Sequence, residues 1–240
     1  MLTSAEVVFL FDVDNTLLDN DRFGADLTAH LDHDFGEAER RRYWSIYDGL
    51  RGQLGYADYL GALQIFRSGS ENLPALLRMS KFLLDYPFSQ LLYPHAIAAI
   101  EHLRAMGTTV ILSDGDIVFQ PRKIQRAGLW DAVDARVLVH LHKEQELDAV
   151  QRQFPAMHYV MIDDKPQLLA AMKRVLLDRL TTVLVRQGHY AVDQECCSTG
   201  PAPDVTVDRI GDLCEFAMER FCIFKPSHAQ APAPGNMEVP

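Results

Sequence analysis

Glu6-Val-Val-Phe-Leu-Phe-Asp12-Val-Asp14-Asn15-Thr16 holds five consecutive apolar residues, Val7 to Phe11, followed by two acids, Asp12 and Asp14. An amphipathic helix would interrupt such a run with polar positions every turn. A continuous apolar run, β-branched at its start, is instead the pattern of a strand buried on both faces, which belongs to a parallel sheet covered by helices. Thr108–Ser113, His158–Asp163 and Thr181–Arg186 repeat the pattern, and 133–139 and 205–207 are weaker versions of it.

Helical patterns alternate with these strands from residue 94 onward. They cover 95–106, stopping at Gly107, then Arg122 to Ala127, stopping at Gly128, then 143–153 and 167–180. Alternating β and α elements predict a doubly wound α/β parallel sheet. Its ligands bind beyond the carboxyl ends of the strands, where the strand order switches direction. Residues 19–93 break the rhythm, with helical patterns at 23–31, 37–52, 56–66 and 73–84 and no strand. That length exceeds the dozen or so residues a crossover needs, so it reads as an inserted all-helical domain. The expected division is a core of 1–18 and 94–224, an insertion of 19–93, and a Pro/Ala-rich tail of 225–240 expected to be disordered.

The 240 residues are 48% hydrophobic and 23% charged, which excludes a disordered chain, a collagen or a disulfide scaffold. A net charge of −10 argues against nucleic-acid polymers and acidic membranes as partners. No apolar segment approaches a membrane span or a signal peptide, and the four Cys lack zinc-site spacing, with Cys196-Cys197 read as a reduced pair. A cytoplasmic location is expected.

Asp12, Asp14 and Asp163 stand where two buried strands end, so they would meet at one sheet edge. Crowded like charges are costly unless a cation lies among them. Magnesium suits oxygen ligands and keeps water positions open for a phosphate substrate. Ser113 ends another strand, and its hydroxyl with the turn at Asp114 would hold a phosphate oxygen. Lys143, after a strand, would neutralise phosphoryl charge and hold a carboxylate. Lys123 is its rival, but a place inside the helix of 122–127 makes it a solvated residue.

These residues together resemble the haloacid dehalogenase-like (HAD) superfamily over about residues 5 to 215. Asp12-Val-Asp14-Asn15-Thr16 is similar to its first motif, Ser113 to its second, Lys143 to its third, and Met161-Ile-Asp163-Asp164 with Ala170-Ala171 to its fourth. The helical insertion resembles the C1 cap of small-molecule phosphatases. The resemblance implies a HAD-like, Rossmannoid fold and these roles: Asp12 as nucleophile, Asp14 as general acid and then base, and Ser113, Asp114 and Lys143 around the phosphoryl oxygens. It implies Mg2+ held by Asp12, the Asp14 carbonyl and Asp163, with Thr16 and Asp164 in support. Ile162 and Gln167 depart from the common fourth motif, as do Lys165 and Pro166.

Asp14 favours phosphoester hydrolysis of a small phosphorylated metabolite. A phosphomutase, a haloacid dehalogenase and a non-catalytic binding protein on the same fold are the alternatives. In the insertion, Trp44, Tyr47 and Arg51 recur at i, i+3 and i+7 and share a helix face. Tyr47 and Arg51 are candidates to touch substrate; the competing reading packs the aromatics inside the cap. Tyr56 and Tyr59 share that ambiguity, and His140, His142 and His189 receive no role. Residues 19–39 carry seven acids and one base, and 40–81 carry seven bases and three acids, so the lid is expected to be locally basic.

Overall fold

The computed structural model describes residues 5–189 and 200–221. Its centre is one parallel sheet of six strands: β1 (Ala5–Phe11), β2 (Thr108–Asp114), β3 (Val137–His140), β4 (Ala156–Asp163), β5 (Leu180–Val185) and β6 (Val205–Val207). Their order is β3-β2-β1-β4-β5-β6. The direction of winding therefore reverses between β1 and β4, and a crevice opens there at the carboxyl edge.

Alternation along each strand explains the continuous apolar runs. Phe9 and Phe11 enter one apolar cluster with Ile111, Val160, Ile162 and Val183. Val8 and Leu10 enter the other with Val110, Leu112, Tyr159 and Met161. The first face is covered by α5 (Ala96–Arg104), α6 (Phe119–Arg126) and α7 (Leu129–Ala132), and the second by α8 (Leu147–Gln153) and α9 (Pro166–Leu176). Burying both faces of β1 removes about 1.5–3 kcal/mol of apolar hydration per large side chain, which commits the strand to the centre.

Between β1 and β2 lie α1 (Asn20–Phe35), α2 (Glu37–Leu54), α3 (Tyr59–Phe66) and α4 (Leu73–Asp85). Asp19, Asp58 and Asn72 cap the first turns of α1, α3 and α4 through their side chains, which explains where these helices begin. Phe23, Tyr43, Tyr47, Tyr59 and Phe66 fill the interior of this insertion. That interior runs without a break into the first face of the sheet through Phe88 and Phe119.

Several expectations need correction. The third strand is shorter and later than 133–139, because Asp134 and Ala135 turn in the left-handed region before it. Lys143 opens a short 3-10 turn at Lys143–Gln145, and the helix proper starts only at Leu147. Nor is the lid basic. Arg40 pairs with Asp32, Arg41 with Glu37, Arg42 with Glu39 and Arg78 with Asp34, so the basic stretch is largely spent on the acidic one beside it. Cys196, Cys197 and the tail of 225–240 lie outside the described residues. Among those described, no helix is long and apolar enough to cross a membrane.

Gly107 lets α5 turn tightly into β2. A Cβ there would lie 2.6 Å from the Val7 carbonyl oxygen on β1. Gly107→Ala should therefore destabilise the chain by about 1–3 kcal/mol, read as a lower urea midpoint with an unchanged slope.

Candidate active site

The register of the two central strands builds the site. Phe11 on β1 pairs with Ile162 on β4, so the next residue of each, Asp12 and Asp163, sits side by side at the carboxyl edge. Both carboxyls are buried, and the Lys143 ammonium lies between them, 2.5 Å from Asp12 Oδ1 and 2.7 Å from Asp163 Oδ2. Thr16 Oγ donates to the other Asp12 oxygen at 3.3 Å. Asp114 accepts the Lys143 backbone N–H at 2.7 Å, so its carboxylate positions the lysine turn.

These groups set one another's ionisation. Burial pushes the Asp12 carboxyl up, but the Lys143 and Lys165 ammoniums outweigh it and hold the group below its usual value. For Asp163, burial wins over the same lysines and its carboxyl is raised. Burial would strip Lys143 of its proton; the charges of Asp12, Asp163 and Asp114 hold it well above its ordinary range. Lys165 behaves alike, kept charged against burial by Asp12 and Asp163.

Asp12, Asp163 and Asp164 each offer a carboxylate oxygen within 4.8 Å of the others. Both Asp164 oxygens are buried without a hydrogen-bond partner, and burial together with Asp163 and Asp12 pushes its carboxyl up to about 9. Hard oxygen donors left unsatisfied in such a cluster fit a divalent cation such as Mg2+. The Asp14 carboxylate stands outside the cluster.

Asp14 is a quarter exposed and faces α6. Its Oδ1 accepts from Lys123 Nζ at 2.6 Å, and its Oδ2 from Gln120 Nε2 at 3.2 Å. Gln120 also donates to Ser113 Oγ at 2.9 Å, which links the ends of β1 and β2. The expectation of a solvated Lys123 is thus wrong: its side chain is fully buried. Helix α6 begins at Phe119, a turn before the expected Arg122. The earlier start puts Gln120 and Lys123 on one inward face, the i and i+3 signal that a correct boundary would have shown. Asn15, at φ 62°, accepts the Asn20 and Asp21 backbone N–H groups and so caps the entry to α1. His189 reaches the same turn through Asp21, with Nδ1 2.7 Å from Oδ1.

A cleft of about 440 Å³ lies beside these groups, between the insertion and the sheet edge, bordered by Arg51, Gly55, Asp114, His142, Lys165 and Gln167. Gly55 ends α2 in the left-handed conformation, and a Cβ there would strike the His142 ring, so the insertion touches the core closely beside Lys143. The shared face of α2 divides its work. Trp44 donates to Thr28 on α1, Tyr47 is buried and stacked 4.8 Å from Tyr59, and Arg51 reaches the cleft rim. Lys165 and Gln120 are the site neighbours that motif spacing alone did not assign.

A family model described as a haloacid dehalogenase-like hydrolase matches residues 7–175. The chain belongs to the haloacid dehalogenase-like hydrolase family. A haloacid dehalogenase-like hydrolase from Burkholderia xenovorans LB400 is 58% identical over 88% of this chain and 99% of its own, with a TM-score of 0.83. A HAD-hydrolase from Bacillus subtilis, bound to magnesium, is 17% identical over 87% of this chain and 96% of its own, with a TM-score of 0.58. A 2-haloacid dehalogenase from Pseudomonas syringae pv. Tomato DC3000 is 15% identical over 87% of this chain and 96% of its own, with a TM-score of 0.56. At that identity the last two show the fold alone. No curated protein matches the chain.

The raised Asp164 carboxyl has a consequence for stability. A group that keeps its proton in the folded state and loses it in the unfolded state costs stability as pH climbs between the two values. With a chelator present, the wild-type chain should lose melting temperature relative to Asp164→Asn as pH rises from about 4 to about 9. Equal pH slopes for the two proteins would show that Asp164 carries no such strain.

Proposed function

We propose that this hydrolase is a magnesium-dependent phosphatase of small phosphorylated metabolites, working through an aspartyl-phosphate on Asp12. The observation that carries this reading is Asp14: a second carboxyl, solvent-reachable, outside the acidic cluster and tied through Gln120 to Ser113. Attack on a haloacid expels a halide, which needs no proton, whereas an alkoxide leaving from phosphorus does. An acid held at that position has work in a phosphatase and none in a dehalogenase.

Each residue then has a task. Asp12, held ionised by Lys143, supplies the oxygen that forms a bond to phosphorus in line with the departing group. The bond from phosphorus to the leaving oxygen breaks, and Asp14 gives that oxygen its proton. In the second half Asp14 takes a proton from water, the water oxygen bonds to phosphorus, and the Asp12–phosphate bond breaks. Ser113, Lys143 and Lys165 hold the phosphoryl oxygens. Bound by Asp12, Asp163, Asp164 and the Asp14 carbonyl, Mg2+ would supply charge neutralisation for the phosphate. Arg51, at the cleft rim, is the residue of the insertion placed to meet the leaving group, whereas Tyr47 is buried against Tyr59 behind it and does not reach the cleft.

Hydrolysis of 4-nitrophenyl phosphate and of a panel of metabolite phosphates should appear with Mg2+ and vanish with a chelator. Asp12→Asn should reduce it by at least about a thousandfold while melting remains cooperative. Chloride release from 2-chloropropionate without phosphate-ester hydrolysis would reverse the assignment in favour of dehalogenation.

A further inference from the structure

We propose that Lys123 is a positioning residue that aims the Asp14 carboxyl at the leaving oxygen and ties that aim to the helical insertion. The inference rests on the phosphatase reading of Asp12 and Asp14.

A fully buried ammonium is rare because its desolvation must be offset by specific partners. Lys123 has them on every side. Its Nζ donates to Asp14 Oδ1 at 2.6 Å and to Asn20 Oδ1 at 2.9 Å. The rings of Phe23, Phe88 and Phe119 surround it at 5.8, 5.7 and 5.4 Å, within the range of cation–π attraction. Phe23 and Asn20 belong to α1, the first helix of the insertion, and Phe119 to α6. With Gln120 on the second oxygen, both ends of the Asp14 carboxylate are fixed while a quarter of the side chain stays exposed to solvent.

The connection continues into the lid. Asn20 Nδ2 lies 3.5 Å from the Tyr59 hydroxyl, and the Tyr59 ring stacks on Tyr47. A shift of the insertion therefore moves the group that fixes the acid. A lysine serving only to fill the core would not need to bridge the β1 loop, α6 and α1 through one nitrogen.

General acid catalysis matters most when the leaving group is a poor one. The test is kcat/KM, which reports the phosphorylation half, for an alkyl phosphate and for 4-nitrophenyl phosphate. Lys123→Met fills the same space among the three rings without the charge. It should depress the alkyl ester at least about tenfold more than the aryl ester. Asn20→Ala should move the same ratio in the same direction by a smaller factor, and it tests the link even where Lys123→Met does not fold. In an Asp14→Asn background, Lys123→Met should cause no further change in the ratio. Equal losses on both esters, or additive losses with Asp14→Asn, would assign Lys123 to packing and overturn the inference alone. Failure of the wild-type chain to hydrolyse either ester would overturn the phosphatase reading and this inference with it.

Discussion

One buried ammonium makes the centre of this molecule possible. Parallel pairing of β1 and β4 drives Asp12 and Asp163 against each other in a site closed to water. Two carboxylates taken out of solvent so close together repel strongly, and each loses several kcal/mol of hydration. Lys143 answers both from a third element, with its ammonium between them and its backbone N–H fixed by Asp114. The turn after β3, the end of β2 and the switch point between β1 and β4 are thereby locked into one arrangement.

A second lysine solves a different problem. Asp12 and Asp14 are two residues apart in sequence, yet their surroundings have little in common. Asp12 is sealed beneath the strand ends, while Asp14 is a quarter exposed and held by Lys123 of α6. Separate counter-charges allow separate chemistry, since each carboxyl answers to its own cation. The two sites do not exchange partners: Lys143 reaches no oxygen of Asp14, and Lys123 none of Asp12, among the contacts of the described residues.

The sequence carries the fold plainly where burial is two-sided. Five apolar residues before Asp12 admit hardly any other structure, and the four helices of the insertion were legible from their periodicity and breaks. The strand-end acids were legible for the same reason, because an acid directly after a buried strand has few places to go. What escaped was the direction of side chains near a helix start. Placing the beginning of α6 a turn late sent Lys123 to solvent, and no periodicity in eight residues could correct that. Charge counts misled as well: the arginines of 40–42 looked available because the acids that neutralise them lie on a neighbouring helix or one turn away on their own.

Those internal pairings bear on how an anionic molecule first meets the protein. Opposite charges a few ångströms apart leave almost no field beyond a Debye length, so at a distance the chain presents its net −10. On the phosphatase reading, a doubly charged phosphate ester would approach against that field. Its capture must come from short-range contacts inside the cleft, and added salt, by screening the repulsion, speeds the encounter instead of slowing it.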